Sequence, residues 1–125
     1  MLRPNGVNTL EETMKSNERE LIINLIKLLK ELYDIIISNP NNDINYGKRT
    51  IKNMVQYLDV ELANDTIRYE ELVSEASRQY KSMFPPRGGL SEFYIWDTSY
   101  EVRYRANHEY EQIKSQIEAI LRKCK

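Results

Sequence analysis

Between Leu21 and Ile36 two apolar rows run side by side: Leu21, Leu25, Leu28, Leu32 and Ile35 in one, Ile22, Ile26, Leu29, Tyr33 and Ile36 in the other. Steps of three and four put each row on one face of an α-helix. Two adjacent filled rows make a stripe too wide for a helix with a single neighbour. This helix therefore has to be covered on more than one side, which predicts a helical bundle with this segment at its centre. Asn17 with Glu20 has the spacing of a capping box at the start. The run from Ser38 to Asn45, with Pro40 and several asparagines, ends the helix through turn chemistry and the donor that proline lacks.

Three further helices follow from the same periodicity. Ile51, Met54, Val55, Leu58 and Leu62 predict one from Ile44 or Gly47 to Leu62. Ile67, Leu72, Val73, Ala76, Tyr80 and Met83 predict a third, capped by Asn64 or Asp65 and stopped by Pro85 and Pro86. Val102, Ala106, Tyr110, Ile113, Ile117, Ile120 and Leu121 predict a last one, with Thr98 and Glu101 as a second capping box. No run alternates long enough for a half-buried strand; Phe93 to Trp96 is too short to build a sheet alone. The expectation is an all-α, single-domain bundle of about four helices over 16–125, with a flexible arm over 1–15.

A chain of 125 residues is the usual size of one domain. Its 18 basic and 19 acidic residues leave a formal charge of -1, so the summed field offers no general attraction to a phosphate backbone. Nucleic acid is not the expected partner. No run approaches the roughly 20 apolar residues that span a bilayer, and no apolar leader is followed by a cleavage site, so the expectation is a cytoplasmic protein that does not enter membranes. The single cysteine, Cys124, has no partner in the chain for a disulfide.

The usual chemistries are missing their residues. A helical zinc hydrolase needs two histidines one turn apart, and His108 is the sole histidine, with Gln112 where a second would stand. Phosphate loop, dinucleotide fingerprint and calcium loop are all absent. Neither a metal nor a cofactor is expected. One enzymatic reading survives: Arg87, Tyr94, Arg103, Arg105 and His108 converging as a metal-independent phosphodiester site, His108 acting as base. Against it stands a plain account in which His108 lies on the polar side of the last helix and the arginines pair with Glu101, Glu109 or nearby aspartates.

What helical packing does not explain is Phe84 to Trp96, Phe-Pro-Pro-Arg-Gly-Gly-Leu-Ser-Glu-Phe-Tyr-Ile-Trp, which joins the third and last helices and holds both phenylalanines and the only tryptophan. In a structural reading Phe84, Phe93, Ile95 and Trp96 cap the open end of the bundle, while Gly88 and Gly89 adopt backbone angles closed to other residues. In a functional reading Arg87, Glu92, Tyr94, Trp96, Asp97 and Tyr100 face outward with the mixture of rings and charge found at binding hot spots. An alternating segment sends Phe93 and Ile95 inward and Tyr94 and Trp96 outward, or the reverse; the sequence leaves the phase open. Tyr100, Tyr104 and Tyr110, with Tyr94, read either as an exposed amphipathic surface on the last helix or, the favoured reading, as the border of a small core. The acidic and aromatic set Glu92, Tyr94, Asp97, Glu101 and Glu109 would suit a basic protein partner.

From Tyr80 to Trp96 the chain resembles small helical bacterial proteins in which a helix ends in a Gly-rich turn followed by a short aromatic segment. These in turn resemble the immunity factors that accompany polymorphic and contact-dependent toxins. The likeness covers about the last half of the chain and carries over no established binding residues. It implies a non-enzymatic protein that neutralises a toxin by binding it; the residues themselves point to the aromatic loop and the start of the last helix as the binding surface. The alternatives are the small enzyme using Arg87 and His108, and a structural or regulatory subunit of a larger complex.

Overall fold

The structure, a computed structural model, describes residues 14–64 and 68–122. Four helices make one all-α bundle: α1 (Ser16–Ile37), α2 (Asn45–Asn64), α3 (Tyr69–Ser82) and α4 (Tyr100–Arg122), with a 3-10 turn at Gly89–Glu92 between the last two. Among the described residues there is no strand. The periodicity of the sequence is thus expressed as expected. The predicted arm falls almost wholly outside the described residues, as does Cys124; Met14, the first described residue, is buried in the core.

Both apolar rows of α1 are used, but not by a central helix. α1 packs against α2 and α4, and α3 packs against the same two, so each helix takes a side of the bundle. Ile22, Leu25, Leu29, Leu32 and Ile36 are fully buried, while Leu21, Leu28, Tyr33 and Ile35 are half-buried where α1 meets its neighbours. The wide stripe reports two partners, and two partners place a helix at a corner as well as they place it in a centre. α1 and α2 run antiparallel: Arg19, near the start of α1, donates to the carbonyl of Leu62 near the end of α2 at 3.2 Å.

The helix starts differ from those predicted, each for a local reason. α1 begins one residue before Asn17, because the Glu18 carboxylate accepts the Lys15 backbone N–H at 2.9 Å and so supplies the reach-back bond that Glu20 was expected to make. α2 continues through Asn64, so Asn64 cannot cap α3; the cap position is Arg68, and the other candidate, Asp65, lies outside the described residues, as does Ile67. α4 is capped by Ser99, whose hydroxyl accepts the Val102 N–H at 3.3 Å, in place of Thr98 one position earlier. At the other end of α1, Ser38 Oγ donates to the carbonyl of Asp34 and Asn39 Nδ2 to that of Ile35, both at 2.8 Å, which closes the helix as the asparagine-rich run suggested.

Two connections meet at one end of the bundle, and this meeting positions everything that follows. Gly88 and Gly89 have φ of 77° and 55°, the left-handed region in which glycine alone is unstrained. A Cβ on Gly89 would also lie 2.9 Å from the carbonyl oxygen of Met83. The turn they make drops Leu90 into the core against Gly47 of α2, where an added Cβ would meet the leucine side chain at 3.0 Å. Gly89 N–H donates to Asp43 Oδ2 at 3.2 Å, tying the turn to the α1–α2 connection.

The core also contains two phenols with a measurable signature. Tyr80 donates to Glu118 Oε2 at 3.0 Å, and burial followed by that carboxylate's charge raises its pKa above the ordinary phenol range. Burial, then Glu111 and Glu118, raise Tyr110 in the same direction. Below about pH 10 both rings are neutral in folded and unfolded chains, and their contribution is constant. Above it the unfolded chain releases protons that the folded chain retains, so stability falls by up to about 1.4 kcal/mol per pH unit for each tyrosine. Urea midpoints measured from pH 8 to 12 are expected to be flat as far as these two groups are concerned and then to drop. Tyr80→Phe is expected to flatten part of the drop.

Candidate functional site

The chain leaves the 3-10 turn with extended backbone at Phe93, and the next two residues are gripped by side-chain amides. Asn42 Oδ1 accepts the Tyr94 N–H at 2.9 Å, and Asn42 Nδ2 donates to the Tyr94 carbonyl at 3.0 Å. On the other side Asn107 Oδ1 accepts the Ile95 N–H at 2.9 Å, and Asn107 Nδ2 donates to the Ile95 carbonyl at 2.8 Å. Each asparagine is itself fixed: Asn42 Nδ2 also reaches the Asn39 carbonyl at 3.1 Å, and Asn107 Nδ2 that of Arg103 at 2.8 Å. Successive residues of an extended chain point their polar groups in opposite directions. One asparagine from the α1–α2 connection and one from α4 therefore satisfy both residues completely.

This clamp settles the phase that the sequence left open. Phe93 points inward and packs its ring 4.7 Å from that of buried Tyr110, and Ile95 is half-buried against the core. Tyr94 and Trp96 point outward, Trp96 with 67% of its surface exposed. Trp96 is therefore no part of the cap over the bundle, which is made by Phe84, Leu90, Phe93 and Ile95. Tyr100 and Tyr104 are 68% and 63% exposed, so they are surface rings and not the core border expected; of that group only Tyr110 is buried.

The outward rings gather around one arginine. Arg103 Cζ lies 4.6 Å from the Trp96 ring centroid and 5.5 Å from that of Tyr100, both within cation–π range. Its Nη1 donates to the Asp97 carbonyl at 2.9 Å. Asp97 turns its carboxylate to the Ser99 N–H at 2.8 Å, a local turn that sets the entry into α4. Along α4, Tyr100, Tyr104 and His108 recur at intervals of four and stack in series, with centroids 6.3 Å and 6.1 Å apart. Tyr94, Tyr100, Arg103, Tyr104, Asn107, His108 and Glu111 line a shallow groove of about 380 Å³ beside them.

No known protein family, curated protein or solved structure matches this chain. Its own geometry is what bears on function.

Of the six residues expected to face a partner, Tyr94, Trp96 and Tyr100 come together at this site. Asp97 adjoins them in a structural role, through its backbone carbonyl and its turn. Arg87 and Glu92 are exposed, but no hydrogen bond, ion pair or ring contact among the described residues ties either to the cluster. Arg103 and Tyr104 join the cluster although the sequence placed neither in the partner-facing set, and Asn107 was missed altogether. Arg103 was expected to pair with a carboxylate; the structure gives it rings and a carbonyl. The signal for Asn107 was present, since asparagine inside a helix competes for backbone bonds and calls for a reason.

The convergence of Arg87 with His108 is not seen. His108 is exposed, stacked on Tyr104, and borders a second shallow groove with Glu111, Gln112, Ser115 and Gln116, none of which brings Arg87 near. No group of three or more histidine, cysteine, aspartate or glutamate residues suited to a metal occurs among the described residues. No helix among them is long and apolar enough to cross a membrane.

Proposed function

We propose that this protein is a non-enzymatic binding module that seats a partner protein on Tyr94, Trp96, Tyr100 and Tyr104 around Arg103. One observation carries the reading: a tryptophan two-thirds exposed directly follows two residues, Tyr94 and Ile95, whose backbone polar groups are all satisfied by asparagine side chains. Holding a large apolar ring in water on a rigid support lowers the ordering cost of association, and Trp, Tyr and Arg are the residue types that dominate binding energy at interfaces. The sharper form, supported by the resemblance of Tyr80 to Trp96 to immunity factors, is a cytoplasmic immunity protein that neutralises a bacterial toxin.

Affinity capture with the tagged chain from its host, run in parallel with a Trp96→Ala version, tests both levels. Stoichiometric recovery of one protein that is toxic when expressed alone, lost with Trp96→Ala, is the expected result. Recovery of a harmless partner by the same residues would assign the chain to a larger complex instead. Recovery indifferent to Trp96 would remove the site from the account.

A further inference from the structure

We infer that Arg103 is the receptor for a carboxylate, supplied by a glutamate or aspartate side chain of the partner protein. The inference rests on the binding reading above and names the chemistry of its central contact. A guanidinium has five N–H donors, and the one hydrogen bond that of Arg103 makes among the described residues is from Nη1 to the Asp97 carbonyl. No carboxylate among them lies within ion-pair range of it. The nearby acids are engaged elsewhere or turned away: Asp97 accepts from Ser99, and Glu111 holds Lys114 at 3.5 Å. Trp96 and Tyr100 meanwhile hold the guanidinium between them, 4.6 Å and 5.5 Å from the ring centroids. An arginine placed in this way with most of its donors unspent can take a planar carboxylate through two parallel bonds.

The groove beside it is lined by Tyr94, Tyr100, Tyr104 and His108 with Arg103, and its one carboxylate, Glu111, is paired with Lys114, while the Asn107 amide is consumed by Ile95 and Arg103 carbonyls. The rings already hold one cation of their own, Arg103 over Trp96 and Tyr100, and Tyr104 stacks between Tyr100 and His108, so a second cation seated beside them would meet a like charge. This differs from the expectation of a basic partner: of the set proposed for one, Tyr94 lines the groove, whereas Glu92, Glu101 and Glu109 are exposed outside it. They instead disfavour a polyanion such as nucleic acid, which would bring many charges past them, and leave room for a single carboxylate flanked by apolar or basic neighbours.

The test uses the full chain, labelled with nitrogen-15, and follows the Arg103 Nε–H and Trp96 Nε1–H resonances while tri-glutamate amide, tri-arginine amide or inorganic phosphate is added. Tri-glutamate is expected to move both resonances saturably, and Arg103→Lys to weaken it at least tenfold although the charge is kept. Tyr100→Leu, which leaves the arginine but removes half of its support, is expected to weaken it severalfold and covers the case in which the lysine variant does not fold. Movement with tri-arginine but not tri-glutamate, or equal binding by Arg103→Lys, would overturn the inference. So would displacement of tri-glutamate by phosphate at equal concentration, which would give the groove to a phosphate. The two readings fail separately: partner capture lost with Trp96→Ala but kept with Arg103→Lys leaves the binding module standing and removes the carboxylate.

Discussion

Trp96→Ala is expected to leave folding nearly untouched and to remove about 2 kcal/mol or more of partner binding. A core tryptophan cut to alanine costs about 3–5 kcal/mol of stability, but this ring is 67% exposed and its one close partner is the Arg103 guanidinium. An exposed cation–π contact is worth about 0.5–1 kcal/mol, which bounds the stability change. Denaturant midpoints and calorimetric titration with the captured partner separate the two quantities. A loss of several kcal/mol in stability with binding intact would mean that the ring belongs to the fold after all.

Asn107→Ala acts on the same surface from behind. The change strips two partners from Ile95 and one from Arg103 O at a half-buried position, and is expected to cost about 2 kcal/mol, the sum of two modest net hydrogen bonds and the exposure they prevented. Part of this is offset by the better helix propensity of alanine. Amide hydrogen exchange gives the specific readout: Ile95 N–H should lose protection strongly, while Tyr94 N–H, held by Asn42, should lose less. Binding should weaken as well, because Trp96 would no longer be held in one direction. Asn107→Asp, which keeps the acceptor but not the donor, is expected to recover only part of the loss. Unchanged exchange at Ile95 in the alanine variant would show that the clamp does not hold the segment.

Much of the fold could be read from residue spacing alone, since burial in a bundle repeats with the turn of the helix. α1 and α4 stand where their apolar rows put them. Starts were less legible because candidate caps lie side by side: Thr98 and Ser99 have nearly the same chemistry, and which hydroxyl meets the first free N–H depends on how the preceding Asp97 turn delivers the chain. The site was legible by composition and not by phase. Alternation says that Phe93 and Trp96 face opposite ways; it cannot say which faces in. That choice is made by Asn42 and Asn107, 52 and 12 residues from the backbone they hold. No local pattern carries such a pairing. Gly47 is a similar case: it looks like a weak point in a helix, and it is the seat for Leu90 from a distant turn.

The asparagine clamp has one more effect. An extended stretch rich in aromatic residues ordinarily invites another chain to lie alongside it and continue the hydrogen bonding, which is how sticky, polymerising surfaces arise. At Tyr94 and Ile95 the places of the two neighbouring strands are already filled by side-chain amides from the same molecule. At these two residues the chain is closed on both flanks, so a visitor can read its rings but cannot add to its backbone.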